Sequence, residues 1–359
     1  MTRSSSNRPE QSSSPQRLGY RMPAEWDQHQ GTWLSWPHNL ETWWDGLESV
    51  HAFYAELVAA IARHEHVHIN VADQAMESLA LKVVSAAPLD QVTFHHFSTN
   101  DAWIRDHGAV MVSCEQGDGI YPPLVAIDWG YNAWGGKYPP FDLDNAIPMH
   151  MARTLSIPCV GGGMILEGGS IEVNGCGDLL TTEECLLNTN RNPDLNRKQI
   201  EAKLTMLLGV EKVHWLSATI QGDDTDSHID NVARFVDPTT IVVVVEEDAN
   251  DVNFDSLQAN YKHVCQLRLH GDVAPDVIKL PMPDPVTDRN GDRLPASYAN
   301  FYITNGSVIV PQFGQSKDQV AVTILADLFP NREIVGIDCC NILVGLGAIH
   351  CLTQQVPGV

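Results

Sequence analysis

Near its C-terminal end the chain reads Leu343-Val344-Gly345-Leu346-Gly347-Ala348-Ile349-His350-Cys351-Leu352-Thr353-Gln354-Gln355. Two glycines precede a short apolar run, followed by a His-Cys pair and a polar Thr-Gln-Gln. Glycines at 345 and 347 let the backbone bend sharply or admit another group at close range. They argue against a parallel sheet with a nucleotide site. Gly345-x-Gly347 lies too near the C-terminus to open a nucleotide-binding βαβ unit, and Gly161-Gly162-Gly163 has no clear strand-to-helix frame. A thiol just after such a bend can stand at the edge of a cleft. The commoner fate of a free cysteine is that of a small buried hydrophobe, so Cys351 counts as a nucleophile only if a base and an acid exist elsewhere in the chain.

Composition narrows the partners. With 45 acidic against 22 basic side chains the formal net charge is -23, which argues against DNA or RNA, whose phosphates need clustered Lys and Arg. The balance suits a cationic small molecule or simply solubility. At 359 residues and 43% hydrophobic the chain can bury a large core. No apolar run reaches the roughly 18 residues that would span a bilayer. Residues 1–17 are rich in Ser, Pro, Arg and Gln without an apolar centre, so we expect a disordered polar tail over 1–18 rather than a secretory signal. A single domain over 19–359 is expected, since no Gly/Ser/Pro linker divides the chain after residue 18. A cytoplasmic location would keep the eight cysteines (114, 159, 176, 185, 265, 339, 340, 351) reduced. No CxxC pair occurs, and adjacent Cys339-Cys340 cannot easily close on one ion, so no structural zinc site is expected.

Hydrophobic spacing predicts helices over 48–63, 72–87, 196–208, 254–269 and 317–328, the first with Val50, Phe53, Leu57, Ala60 and Ile61 on one stripe. Strands are expected over 67–71, 91–97, 109–113, 122–128, 239–246, 277–280, 307–311 and 333–338. A hairpin is expected over 170–180, turning at Asn174-Gly175. The four consecutive valines in 239–246 read as a fully buried strand. Short strand groups thus alternate with single helices about five times, with no exact sequence repeat. Residues 20–45 hold five of the nine tryptophans: 26, 33, 36, 43 and 44. They are either core packing or an aromatic wall for a flat cationic group.

Four polar clusters fall at strand ends or in loops, where catalytic groups concentrate. They are Trp103-Ile104-Arg105-Asp106; Leu166-Glu167-Gly168-Gly169-Ser170; Gly222-Asp223-Asp224-Thr225-Asp226-Ser227-His228-Ile229-Asp230-Asn231; and Leu294-Pro295-Ala296-Ser297-Tyr298-Ala299-Asn300-Phe301. Singly, each has a plainer reading: a surface ion pair, a glycine turn, a hydrated acidic loop. The third places four carboxylates and a His within eight residues, where like charges raise one another's pKa unless a cation or proton is shared. It lacks the Gly and Glu placement of a helix–loop–helix calcium site. A thiol, an imidazole and several carboxylates suit one chemistry in particular. A guanidinium is planar and cationic, and carboxylates grip its N–H fork bidentately. Held so, its central carbon can be attacked by a thiolate, whose pKa the cation lowers. A His can protonate departing ammonia and then deprotonate water.

These residues resemble the agmatine deiminase and Porphyromonas-type peptidylarginine deiminase family of the guanidino-group-modifying superfamily. The likeness runs from about Gly19 to Val356. It rests on Met22-Pro23-Ala24-Glu25-Trp26, Trp36-Pro37-His38, Asn100-Asp101-x-Trp103-x-Arg105-Asp106, Leu166 to Glu172, Asn190-Arg191-Asn192-Pro193, Gly222 to Asp230, Leu294 to Tyr298, and Ile349 to Gln355. The resemblance implies an α/β fold, the pentein β/α-propeller of five blades about a pseudo-fivefold axis, with a central site that uses no metal and no cofactor. It implies Cys351 as nucleophile, His228 as general acid/base, and Asp106 and Asp230 as guanidinium-holding carboxylates. Glu167 would support them, Asp224 would contact substrate, and Trp103 and Asn300 would line the site. Two departures stand out: Leu346 and Ala348 interrupt the glycine run common before Ile-His-Cys, and Ser227 stands where Gly is frequent.

The expected activity is hydrolysis of agmatine to N-carbamoylputrescine and ammonia through an amidino-cysteine, within putrescine biosynthesis or arginine catabolism. The partner is then a small guanidino cation, not a membrane or a nucleic acid, with a homo-oligomer left open. Alternatives on the same residues are peptidyl-arginine or free arginine as substrate, amidino transfer to an amine, and a non-catalytic guanidine or polyamine binder. Binding alone would need neither Cys351 nor His228.

Overall fold

The valine run is the middle strand of its sheet, which explains its composition. The computed structural model describes residues 14–114 and 121–359. In it Thr240–Val245 pairs antiparallel with Ala233–Phe235 on one side and parallel with Asp276–Pro281 on the other. All six of its side chains are buried, as a strand covered on both faces requires.

The same unit recurs: a first strand antiparallel to a second, which is parallel to a third. Val110–Ser113, Leu124–Gly130 and Cys159–Ile165 form one sheet. Ile171–Val173, Asp178–Thr182 and Lys212–Leu216 form another. Tyr302–Ile303, Ser307–Gln312 and Glu333–Asp338 form a further one. The remaining sheet joins the two ends of the chain. There Gln354–Pro357 is the antiparallel partner of His29–Ser35, which runs parallel to His66–Val71, with Val92–His96 added at the edge. The described residues thus hold five sheets of one plan. Parallel neighbours need a crossover, and in every unit a helix supplies it: Leu47–Ala62, Ile147–Leu155, Arg197–Leu208, Phe254–Val264 and Ser316–Leu328. The fivefold alternation read from the sequence is present.

Local chemistry accounts for the elements. Leu47–Ala62 buries Val50, Phe53, Leu57, Ala60 and Ile61 along the expected stripe. Arg197–Leu208 opens on an Asn196–Gln199 capping box and ends at Gly209 with φ +68°. Asp73 caps Gln74–Val83 through the amides of Ala75 and Met76, so that helix is shorter than the 72–87 expected. The helix expected over 254–269 stops at Val264, where the Cys265 amide turns back onto the carbonyls of Tyr261 and His263. Gly161-Gly162-Gly163 lies inside the strand Cys159–Ile165. A Cβ on Gly162 would stand 2.1 Å from the Trp129 ring, so glycine is the residue that lets this strand lie against the indole. Of the tail expected over 1–18, residues 1–13 lie outside the described part. Gln16–Leu18 form a 3-10 turn, and Leu18 packs against the apolar cluster that includes Tyr20 and Leu208. That apolar contact fixes these last residues of the expected tail. Trp33, Trp36 and Trp43 are core residues, while Trp44 faces a cavity. Among the described residues no helix is long and apolar enough to cross a membrane.

Candidate active site

Each unit is entered through a short polar turn placed just before its first strand. Ile104–His107 precedes Val110–Ser113, Gly168–Ser170 leads into Ile171–Val173, and Ile229–Asn231 leads into Ala233–Phe235. The bend at 295–300 leads into Tyr302–Ile303, and His350–Leu352 into Gln354–Pro357. The polar clusters of the sequence therefore occupy one equivalent position in five equivalent units. Repetition of the unit brings them to a common centre although they are far apart along the chain.

Gly169 measures the convergence. A Cβ there would lie 2.7 Å from His228 Nδ1, 2.8 Å from Asp106 Oδ1 and 2.9 Å from Asp230 Oδ2. Its amide donates to Asp106 Oδ1 at 3.0 Å, while Trp134 Nε1 donates to Asp106 Oδ2 at 2.9 Å. His228 Nδ1 is 3.7 Å from Asp106 Oδ1. Cys351 Sγ is 3.9 Å from Asp230 Oδ2 and receives a hydrogen bond from Asn300 Nδ2 at 3.2 Å. Asn300 Oδ1 in turn accepts from the His350 amide at 2.9 Å. The structure thus gathers Cys351, Asp106, Asp230, His228 and Asn300 around one point. Gly169→Ala is expected to lower stability by about 1–3 kcal/mol, the usual cost of overfilling a tight interior, and to force these groups apart. The urea unfolding midpoint checks it; an unchanged midpoint would show that the crowding is relieved cheaply.

The electrostatics follow from burial. Burial and the nearby Glu167 push Asp106 up to about 7. Burial and Asp106 push Asp230 well above the carboxylate range. Burial, Asp230 and Asp106 push the Cys351 thiol well up. Burial, helped by Arg191, holds His228 neutral by lowering it well below its usual value. These groups resist charging only while no cation lies among them. A guanidinium against both carboxyls reverses the sign for all three acids, ionising the carboxyls and favouring the thiolate.

A second layer, whose roles the sequence left open, fixes the first. His350 stands between two carboxyls: Nδ1 is 2.8 Å from Asp230 Oδ2 and Nε2 is 2.8 Å from Glu25 Oε2. Burial, with Arg105 and Arg234 nearby, keeps the His350 imidazole neutral. A neutral ring has one N–H for two acceptors, so one proton is held between Asp230 and His350. Glu25 is the carboxylate of the set. Burial opposes its charge, but Arg234 and the His350 hydrogen bond outweigh burial and leave it well below its usual value. Arg234 lies 3.0 Å from Glu25 and 2.8 Å from Glu172, and Arg105 reaches Glu25 at 3.4 Å and Gln355 at 2.7 Å. Glu25 and Arg105 belong to motifs visible in the sequence; nothing local in the sequence marks Arg234 as their partner.

A cavity of about 870 Å³ opens above this floor, lined by Trp103, Asp106, Trp134, Asp224, Leu346 and Cys351 among others. Of the expected residues, Trp103, Asp106, Asp224 and Cys351 line it, whereas His228, Asp230, Glu167 and Asn300 are fully buried around it. Glu167 Oε1 accepts from Arg191 Nε at 2.6 Å. Asp224 sits at the mouth, engaged by Lys137 Nζ at 3.2 Å and by the Tyr138 hydroxyl. A Cβ on Gly345 or Gly347 would stand 2.8 Å or 2.4 Å from the Trp103 ring. The interrupted glycine run therefore keeps glycine where Trp103 leaves no room. Leu346 takes the left-handed conformation at φ +69° between them, and Ser227 does the same at +70°, which is why glycine suits both places. One trio among the described residues has metal-ligating geometry: Glu167, Cys185 and His228.

Comparison with known proteins finds relatives over nearly the whole chain. The family model described as Porphyromonas-type peptidyl-arginine deiminase matches residues 21–357. The agmatine deiminase of Medicago truncatula is 36% identical over 368 residues, covering 95% of this chain and 97% of that protein. The structure of the agmatine deiminase of Enterococcus faecalis catalysing its reaction superposes with a TM-score of 0.89 at 33% identity, covering 97% of this chain and 98% of that one. A cysteine-to-serine variant of the C. jejuni agmatine deiminase with substrate bound gives a TM-score of 0.84 at 33% identity over 94% of this chain and 96% of that one.

Proposed function

This chain belongs to the Porphyromonas-type peptidyl-arginine deiminase family, and from that premise we propose that it hydrolyses agmatine to N-carbamoylputrescine and ammonia through an amidino-cysteine on Cys351. It is a guanidino-group hydrolase acting on C–N bonds. We read the five sheets as the blades of a propeller about a pseudo-fivefold axis, within a single domain over 19–359, with the converging turns at its centre.

Asp106 and Asp230 grip the guanidinium N–H groups and fix its plane. The Cys351 thiolate attacks the central carbon, and the C=N electron pair moves onto nitrogen. His228, charged by the proton that Cys351 gives up as it becomes the thiolate, delivers that proton to the departing nitrogen, the C–N bond breaks and ammonia leaves. Water then gives a proton to His228 as its oxygen adds to the same carbon. The C–S bond breaks, returning the thiolate and releasing the ureido product. Glu167, one oxygen of which Arg191 holds, stands beside His228 without a hydrogen bond to it. Trp103 and Trp134 wall the planar group, Asn300 steadies the sulfur, and Asp224 offers a carboxylate to the far amine.

The observation that carries agmatine over arginine is the charge of the cavity wall. Besides Asp106 it includes Glu41, Asp224, Asp288 and Asp292, while its two cations, Lys137 and Arg293, are both paired, with Asp224 and Asp226 and with Asp251. An amine-terminated guanidine fits this wall; a carboxylate-terminated one meets repulsion. We place the activity in putrescine formation in the cytoplasm. Incubation with agmatine, arginine and an arginine-terminated peptide, assaying ureido product and ammonia, decides the substrate. Turnover of agmatine far above the others is expected; arginine or peptide turned over in its place overturns the assignment.

A pH dependence follows. Asp106 must be ionised to hold the cation, so kcat/KM for agmatine should rise as pH passes upward through about 7. Stability without substrate should move the other way. Asp106 and Glu172 are raised to about 7 and Asp144 to about 8. The folded state therefore binds protons that the unfolded state has released, and that advantage is lost as pH rises through these values. Histidines lowered by burial, such as His107 at about 3, act oppositely, but their contribution is complete once pH exceeds their ordinary value of 6.5. Between 6.5 and about 8 the unfolding midpoint should fall while kcat/KM climbs. A kcat/KM profile flat over that span would count against ionised Asp106 as the gripping group.

A further inference from the structure

Cys185 has no part in the reaction above. It belongs to the single helical turn Glu183–Leu186 and is fully buried. Its Sγ, a carboxylate oxygen of Glu167 and a ring nitrogen of His228 nevertheless lie within 4.8 Å of one another.

The trio has lone pairs to give. Arg191 occupies Glu167 Oε1, but Oε2 has no hydrogen-bond partner, and neither ring nitrogen of His228 has one. Both residues are 0% exposed. Buried polar atoms left without partners are costly, and several facing one point favour a ligand that accepts their lone pairs. The donor set of thiolate sulfur, imidazole nitrogen and carboxylate oxygen is that of Zn²⁺ and similar borderline-soft dications. Charge also balances: Asp226 pairs the Arg191 guanidinium that holds Glu167, so one thiolate and one carboxylate remain to neutralise a dication, and the imidazole, kept neutral by burial, adds none. A neutral cluster is the kind a dry interior tolerates. Tetrahedral zinc places its donor atoms about 3.3–3.8 Å apart, so the trio has to draw in by less than about 1 Å per atom.

We propose that Glu167, Cys185 and His228 form an inhibitory site for Zn²⁺ or a comparable thiophilic divalent cation. On binding, the Cys185 thiol releases its proton to solvent. Sγ, Glu167 Oε2 and a His228 nitrogen donate to the ion, and water completes its shell. The ion takes His228 out of proton transfer, so turnover stops until a chelator removes it. The inhibition rests on the role proposed for His228; the binding does not.

Cobalt(II) is the probe for the full-length protein, because a cysteine ligand gives it a sulfur-to-metal charge-transfer absorption. One equivalent should produce that absorption in the wild type and in Cys351→Ala, and not in Cys185→Ser or Cys185→Ala. Basal agmatine turnover of the Cys185 variants should match the wild type. Their half-inhibiting Zn²⁺ concentration should rise at least about ten-fold, the low end of what losing a supporting metal contact costs. Should both Cys185 variants fail to fold, X-ray absorption of Zn²⁺-loaded Cys351→Ala decides, with one sulfur expected in the first shell and none overturning the site. Absorption lost in Cys351→Ala but kept in the Cys185 variants, or Zn²⁺ inhibition equal in the wild type and the Cys185 variants, also overturns it. Absorption that follows Cys185 in a protein without agmatine turnover would sustain the site and remove the substrate instead.

Discussion

Replacing Cys351 by Ala should leave a folded protein with agmatine turnover reduced by about ten-thousand-fold or more, the usual scale for losing a nucleophile whose partners act as a unit. The fold should hold because the change removes one sulfur whose contacts are a hydrogen bond from Asn300 and an unfavourable proximity to the Asp230 and Asp106 carboxyls. Ammonia release read beside the unfolding midpoint separates the two effects. The same substitution at Cys176 or Cys265, both exposed, should change neither. Residual turnover within ten-fold of wild type would mean that no covalent adduct at Cys351 is needed.

The largest effect on stability should come from Arg234→Ala. Arg234 is 0% exposed and binds Glu172 at 2.8 Å, Glu25 at 3.0 Å, and the carbonyls of Ala299 and Phe301 at 3.1 and 2.8 Å. Its removal leaves two carboxyls and two carbonyls in the interior without their partner, a change that costs about 3–5 kcal/mol for a broken buried ion pair. Activity should fall with it. The two carbonyls flank Asn300, which holds Cys351, and Glu25 holds His350 against Asp230. Urea denaturation measures the first consequence and kcat/KM of the remaining folded protein the second. A loss below about 1 kcal/mol would show that solvent reaches Glu25 and Glu172, against their burial in the folded chain.

What could be read from the sequence, and what could not, divides along physical lines. The polar clusters were legible because carboxylates, a His and glycines interrupt apolar strands at single points, and together with the thiol they make up one set of chemistry. The buried strand at Thr240–Val245 and the stripe of Leu47–Ala62 were legible from period and β-branching. Cys159–Ile165 was not, because its three glycines carry no strand preference; the need for Gly162 comes from Trp129, a partner on another strand. Ile147–Leu155 was missed as a helix, with Pro148 and His150 breaking up a short apolar stripe. The ties of Glu25 to Arg234 and of Asp224 to Lys137 join residues from different units, that of Glu167 to Arg191 spans 24 residues within one, and no spacing within one segment encodes them. The sequence could name the five turns; only the repeated unit shows that they share one position and so meet.

The most direct test of that meeting is the reaction of the wild-type protein with 2-chloroacetamidine, a small cation carrying an electrophilic carbon, against uncharged chloroacetamide. Peptide mapping of all eight cysteines follows each label. If Asp106 and Asp230 clamp a planar cation beside the sulfur, the amidine should alkylate Cys351 first and much faster than the amide does. Agmatine should protect it, and Asp106→Asn should erase the difference between the two reagents. Labelling of exposed Cys176 or Cys265 ahead of Cys351, or equal rates for the charged and uncharged reagents at Cys351, would contradict the account.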